Sequence, residues 1–396
     1  MNPLPPIEAL RADTPGCAHV VHLNNAGASL PPRPVIEAIE DYRREEHVRG
    51  GYETMAARAG DINRFYRLAA RLVGGHPRNM AFAASATDAF NKALSSIPFQ
   101  AGDSLVTTDD DYVSNHIAFM VLRKRFGVQV YRAAKRPEGG VDVDSVEELL
   151  RRHKPRAVSV THVPTNSGLI QPVETIGQLC RQYDCWYLVD ACQSAGQLPL
   201  DVQTIGCDFL SATMRKFMRG PRGAGFLYVS DRALEAGLEP LFPDLHGAQW
   251  TAPDAYRLAD TAIRYEYFEK PFELVLGSAA AIDYALKLGL EPIAARVAAL
   301  ADYTRSRLRQ LPGVRVLDKG QQLCGIVTCT ATHWDKQTIV DTLHAAGINH
   351  STQGRHNAVI DFDEKGVSWA LRISPHYYNT EAEVDLLVDT LSRLKP

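Results

Sequence analysis

Short apolar runs alternate with amphipathic stretches from residue 80 onward, and this rhythm limits the choice of fold more than any other property of the chain. The runs at 80–84, 104–107, 128–131, 157–162 and 186–190 have strand length. Helical periodicity fills the gaps at 88–95, 115–125, 143–152 and 173–183. Strands separated by helices of roughly 8–14 residues predict a mostly parallel sheet covered on both faces. Two further helical patterns, 35–47 and 62–73, precede the first run. After Gly277 the rhythm changes to long helical stretches at 278–287 and 292–310, short strands near 314–317, 325–330 and 369–373, and helices at 336–346 and 381–394. That pattern predicts a smaller α+β unit. With 396 residues the chain exceeds one ordinary domain. It divides into an N-terminal segment (1–20), a large domain (21–275) and a small C-terminal domain (276–396). The stretch 243–255 reads as a long loop.

The run at 186–190 ends in a carboxylate, Asp190. Twenty-six positions later, after Phe209-Leu210, stand Lys216 and a Gly/Pro-rich turn. That pair suits pyridoxal phosphate: the lysine forms a Schiff base, and the carboxylate keeps the pyridine nitrogen protonated. The plain alternative is a solvated strand-end Asp and a surface Lys. Gln193, an amide just after Asp190, would hydrogen-bond the phenolic oxygen of the same ring. In open α/β sheets the ligand lies beyond the carboxyl ends of the strands, where helix N-termini hold phosphate. Ser85, Ala86 and Thr87 occupy such a turn, although Ser85 or Thr87 would serve equally as an N-cap. Thr213 and Arg215 would complete the cradle from the lysine side.

The segment from Val189 to Tyr228 resembles the class V aminotransferase, or cysteine desulfurase-like, family. The motif residues are Val189-Asp190-Ala191-Cys192-Gln193-Ser194-Ala195-Gly196, then Asp208-Phe209, Thr213, Lys216 and Gly220-Pro221-Arg222-Gly223-Ala224-Gly225. Arg215 departs from the histidine usual before the lysine. An arginine can still hold a phosphate oxygen. The resemblance runs from about Leu23 to the C-terminus and implies the aspartate-aminotransferase-type fold (fold type I) with pyridoxal 5'-phosphate as cofactor. It also implies that Tyr112 stacks on the pyridine ring, with His116 one helical turn on. Thr165 or Asn166 would meet the phenolic oxygen, the register being open by one residue. Arg372, in "RISPHYYNTEAEVD", would clamp the substrate α-carboxylate. Asn24 and Asn25 would line the substrate side. The family pattern further implies a homodimer, with the segment 262–277 reaching the partner's phosphate.

Desulfurases of this family carry a nucleophilic cysteine about fifteen residues before that arginine. Here the position falls on Asn357, and no cysteine follows Cys329. A persulfide-relaying desulfurase is therefore disfavoured. Three reactions remain: β-elimination from a cysteine S-conjugate or sulfoxide, epimerisation, and aminotransfer. The first fits the similarity to ergothioneine-type C–S lyases, which share Arg215-Lys216 and Arg219-Gly220-Pro221-Arg222-Gly223. Arg355 and His356 would then contact the departing group. The second, of the isopenicillin N epimerase type, needs a second base such as His162, His356 or Tyr112. A non-catalytic binding protein is disfavoured by the joint presence of Asp190, Gln193, Lys216 and Arg372.

A net charge of −3 gives no reason to expect nucleic acid or a membrane surface as partner. No apolar stretch approaches the ~20 residues that span a bilayer, and the N-terminus lacks the pattern of a signal peptide. Seven cysteines without paired C-x-x-C spacing predict neither a disulfide framework nor a metal site, and point to a reducing cytoplasm.

Overall fold

The computed structural model describes residues 3–394. Its central sheet has seven strands in the spatial order Met80–Ala83, Gly225–Val229, Phe209–Thr213, Trp186–Asp190, Ala157–Thr161, Ser104–Thr107, Gln129–Arg132. Gly225–Val229 runs antiparallel to both its neighbours; the other pairings are parallel. The five runs expected as strands are all present, within a residue or two of their bounds. Gly225–Val229 was hidden behind the glycine-rich turn that precedes it.

Alternate side chains of one strand enter different cores. Tyr187 and Val189 join the packing of Val146, Leu150, Ile176 and Cys180 on one face. Leu188 joins Phe90, Leu94, Phe119 and Leu122 on the other. Because both faces are covered, the central strands are buried at every position, and so read as continuous apolar runs.

The small unit carries a four-stranded antiparallel sheet in the order Val314–Val316, Val327–Ala331, Trp369–Ile373, Ser351–Gly354. The last helix, Glu381–Ser392, starts with a capping box between Thr380 and Glu383. Near the N-terminus, Val21–His22 pairs with Ile348–Asn349, and Asn24 bridges to Ser374. The chain thus touches the small unit before entering the large sheet. Helix Phe272–Leu288 packs on Arg33–Arg49 and Ala59–Val73, whereas Leu290–Arg309 packs on Glu381–Ser392 and Val327–Ala331. We therefore propose a division near Gly289, rather than at 275.

The stretch expected as a long loop is instead largely a hairpin. Ala248–Ala252 pairs antiparallel with Ala255–Leu258 across Pro253-Asp254, a pair with strong turn chemistry.

Candidate active site

Five sheet strands point their ends at one cavity. It is lined by Ser85, Ala86, Thr87, Tyr112, Thr161, Thr165, Asp190, Cys192, Gln193, Thr213, Arg215, Lys216 and Gly223. Most of the residues that the sequence singles out for the cofactor therefore meet in one place.

Asp190 is buried at the end of its strand. It accepts from the Cys192 backbone N–H at 2.9 Å and from Asn115 Nδ2 at 3.1 Å. Burial raises the carboxyl above its usual range; the Cys192 N–H and the nearby Lys216 act against that rise. Lys216 is likewise buried, which lowers its ammonium below the usual value. A lysine so placed is readily present as the free amine. Its Nζ lies 5.9 Å from the ring centroid of Tyr112, the residue immediately before helix Val113–Phe126.

A second network sits beneath Tyr112, and the sequence reading missed it. Asp111 Oδ1 accepts from the Tyr112 N–H at 2.7 Å, from Asn115 Nδ2 at 2.9 Å and from the Thr161 hydroxyl. Asp111 Oδ2 accepts from Thr107 Oγ1 at 2.8 Å. Asn115 thus joins the aromatic residue's anchor to Asp190. The sequence signal for it is the i, i+4 spacing of Asp111 and Asn115 across a helix start, next to the more conspicuous His116. That histidine packs edge-on against Phe119, outside the cavity lining.

At the opposite wall Ser85 caps helix Ala86–Ser96, its Oγ accepting from the Asp88 N–H at 3.1 Å. Among the described residues the Ala86 and Thr87 N–H groups meet no acceptor, so capping and phosphate binding are compatible. Gly225 lets this turn approach: a Cβ there would lie 3.1 Å from Ala86 N. Gln193 Nε2 donates to Thr165 Oγ1 at 3.0 Å and to the Ala26 carbonyl at 3.1 Å, while its Oε1 is buried without a partner. A helix N-terminus with free donors, a strand-end carboxylate, an aromatic ring near a buried lysine and an unsatisfied amide fit pyridoxal phosphate.

Arg372, also buried, donates from Nη1 to Thr165 Oγ1 at 2.6 Å and from Nη2 to Asn24 Oδ1 at 3.4 Å. Burial and the neighbouring Arg215 push its pKa down to about 10. Arg215 donates to the Gly27 carbonyl.

Several expected residues stand elsewhere. Thr165 lines the cavity and Asn166 does not; the Asn166 carbonyl instead accepts from Lys365 Nζ at 3.0 Å. Asn25 is buried outside the cavity lining, donating to the Ser374 carbonyl at 2.8 Å and accepting from Tyr378. His162 lines a separate cavity of about 340 Å³ with Gln171 and Arg136, because its neighbour Thr161 takes the inward position at the strand end. Burial lowers its pKa to about 4. Arg355 and His356 are exposed, and Arg355 forms a fork with Asp363, Nη2 to Oδ2 at 2.7 Å. Neither reaches the cavity lining. In the segment 262–277, Arg264 is buried and donates to the Leu234 and Leu238 carbonyls.

Against known proteins, residues 21–387 match the family model Aminotransferase class-V. A probable cysteine desulfurase of Methanothermobacter thermautotrophicus is 28% identical over 396 residues, covering 98% of both chains. The apo cysteine desulfurase of Thermococcus onnurineus NA1 superposes with a TM-score of 0.91 at 24% identity, covering 100% of this chain and 98% of that one. The cystine C-S lyase C-DES, solved with its reaction product cysteine persulfide, gives a TM-score of 0.86 at 22% identity, covering 97% of this chain and 100% of that one. The chain belongs to the class-V aminotransferase family and has the type I fold. It is a pyridoxal-phosphate-dependent enzyme.

Proposed function

We propose that this enzyme breaks the Cβ–S bond of a cysteine-derived amino acid by β-elimination, without taking sulfur onto one of its own thiols. Carbon–sulfur cleavage is common ground between the desulfurase relative and the C–S lyase neighbour named above. The observation that favours plain elimination concerns the strand-and-turn segment 351–357. It lies beside the Arg372 strand, with Ser351 opposite Arg372, and holds no cysteine. Cys324 and Cys329 are buried in the small unit. Cys192 borders the cavity, but burial and Asp190 push its thiol up to about 12, far from a thiolate at neutral pH.

When bound, pyridoxal phosphate supplies an electron sink that acidifies the substrate Cα. Asp190, steadied by Asn115 and the Cys192 N–H, would face its ring nitrogen. The Ala86 and Thr87 N–H groups with Thr213 would hold its phosphate, Tyr112 would cover the ring, and Gln193 would meet the phenolic oxygen. Arg372, oriented by Thr165, binds the α-carboxylate and so turns the Cα–H bond toward Lys216. Lys216 Nζ takes that proton, and the sulfur substituent leaves with its bonding electrons. Hydrolysis of the residual enamine gives pyruvate and ammonia. Of the second bases an epimerase would need, His162 and His356 stand away from this cavity, and Tyr112 alone lines it.

The test is a panel of cysteine S-conjugates, their sulfoxides, L-cystine and L-cysteine, with pyruvate, alanine and Cα deuterium measured. Pyruvate matching the released thiol or sulfenate supports elimination. Alanine accompanied by persulfide on Cys192 would replace it with desulfuration, and inversion without pyruvate would replace it with epimerisation.

We also propose a homodimer. Helices Ala86–Ser96 and Val113–Phe126 leave an apolar groove of about 600 Å³ lined by Leu94, Ile97, Ile117, Val121, Phe126 and Leu241. Phe242, Leu245 and Trp250 are exposed as well. So much open apolar surface suits burial against a second copy. Among the described residues no helix is long and apolar enough to cross a membrane, and we propose a cytoplasmic location.

A further inference from the structure

Two guanidinium groups, Arg215 in the lining and Arg372 behind it against the lining residue Thr165, border a cavity whose lining includes one carboxylate, Asp190. That carboxylate is already engaged by Asn115 and the Cys192 N–H. Among the described residues neither Arg215 nor Arg372 forms an ion pair with an acidic side chain. Arg372 Nε is buried with no partner at all.

Two uses for Arg215 compete. It could grip the cofactor's phosphate, as its place before Lys216 first suggests. The contacts favour the substrate side instead. Its guanidinium is drawn to the carbonyl of Gly27, and its own carbonyl accepts from the Ser29 N–H at 2.8 Å. The same loop carries Asn24, which touches Arg372. Both guanidinium groups therefore border the loop 24–29, near enough for Arg215 to depress the pKa of Arg372. Two such charges repel each other until anions separate them, and one α-carboxylate answers only one of them.

We propose that Arg215 selects substrates carrying a second acidic group, a carboxylate or sulfonate on the side chain or leaving group, while Arg372 holds the α-carboxylate. The inference rests on the reading of this cavity as an amino-acid site and adds the class of amino acid it takes. It does not depend on which bond breaks.

The experiment reads binding rather than turnover. Holoenzyme is titrated with L-aspartate and L-cysteate, and with the neutral L-asparagine and L-alanine, following the visible absorbance of the cofactor. Aspartate is expected to bind at least tenfold more tightly than its isostere asparagine. Arg215→Gln should erase that preference, Arg215→Lys should keep part of it, and cofactor affinity should stay within threefold of the parent in both. A parent enzyme with no preference overturns the proposal without needing any variant. So does an Arg215→Gln enzyme that keeps the preference while losing cofactor affinity tenfold, which would return Arg215 to the phosphate. If the acidic preference holds but the cysteine panel yields no pyruvate, the elimination reading fails and this one stands.

Discussion

Replacing Gly225 by alanine tests whether the approach of the Ser85–Thr87 turn to the sheet supports cofactor binding. Gly225 pairs with Ala83 on one side and Thr213 on the other. A Cβ at this position would lie 2.6 Å from the Ala212 carbonyl oxygen, 3.0 Å from Ser85 C and 3.1 Å from Ala86 N. All three are backbone atoms, so no side chain can swing aside. Overpacking of this kind costs about 1–3 kcal/mol, and relief must come from moving either the strand Phe209–Thr213 or the turn. Moving the turn displaces the Ala86 and Thr87 donors. A hydrogen bond to a charged group contributes about 1.5–3 kcal/mol, so losing one weakens cofactor binding about 10- to 150-fold. Apoenzyme titrated with pyridoxal phosphate, followed by visible absorbance, gives the affinity; urea unfolding gives the stability. Gly60→Ala is the control: nothing lies within 4 Å of its added Cβ, and it falls in helix Ala59–Val73. That variant should be unchanged or more stable by up to ~1 kcal/mol, with unaltered cofactor affinity. A Gly225→Ala enzyme that binds pyridoxal phosphate as tightly as the parent refutes the reasoning.

Borohydride reduction of the holoenzyme followed by peptide mapping should place the cofactor label on Lys216; a label on any other lysine defeats the assignment. Arg372→Lys keeps a charge but loses the planar fork, and should lower kcat/KM by about 100-fold; a change under threefold would remove Arg372 from the substrate's carboxylate. Glu266 is buried, which pushes its carboxyl up, yet His246, Lys270 and the Phe82 N–H outweigh that and leave it below its usual value. Its contribution to stability is therefore present above the unfolded carboxyl value and is lost as pH falls through the lower folded one. Glu266→Gln should cost about 3–5 kcal/mol at neutral pH by stranding Lys270 and should flatten the acid limb of stability against pH; an unchanged acid limb would exclude the pair as its source. Sedimentation should show a dimer at micromolar protein, and Ile117→Asp in the apolar groove should shift it to monomer; a fully active parent monomer would count against the assembly.

What could be read from the chain and what could not divide along physical lines. Asp190 and Thr213 sit at the carboxyl ends of strands that open on apolar runs, Trp186–Val189 and Phe209-Leu210, because both sheet faces are covered. Lys216 follows Thr213 by three residues, so locating that strand also located the lysine. Asp111 and Asn115 were not legible in the same way. Their importance lies in hydrogen bonds across three elements, Thr107, Thr161 and Asp190, which only the folded arrangement brings together. The hairpin at 248–258 escaped because its strands are exposed almost throughout and show no inward-facing alternation.

The fate of the histidines shows where reading by residue type fails. By residue type and its place at a strand end, His162 is a candidate base. In the folded chain Thr161 carries that inward position, with its hydroxyl on Asp111, and the next residue is turned to another cavity. Strand geometry alone demands this: consecutive side chains alternate, so a site that uses Thr161 cannot also use His162 from the same strand end. Arg355 illustrates the complementary limit. Its neighbour in space, Asp363, lies eight residues on within the short helix Val359–Lys365, and the ion pair between them holds the guanidinium on the surface. Proximity in sequence to a functional segment therefore says little until the partner that holds each charge is known. Arg215 and Arg372 differ from Arg355 in that respect. Each is held by neutral oxygens alone, which leaves its charge available to a ligand.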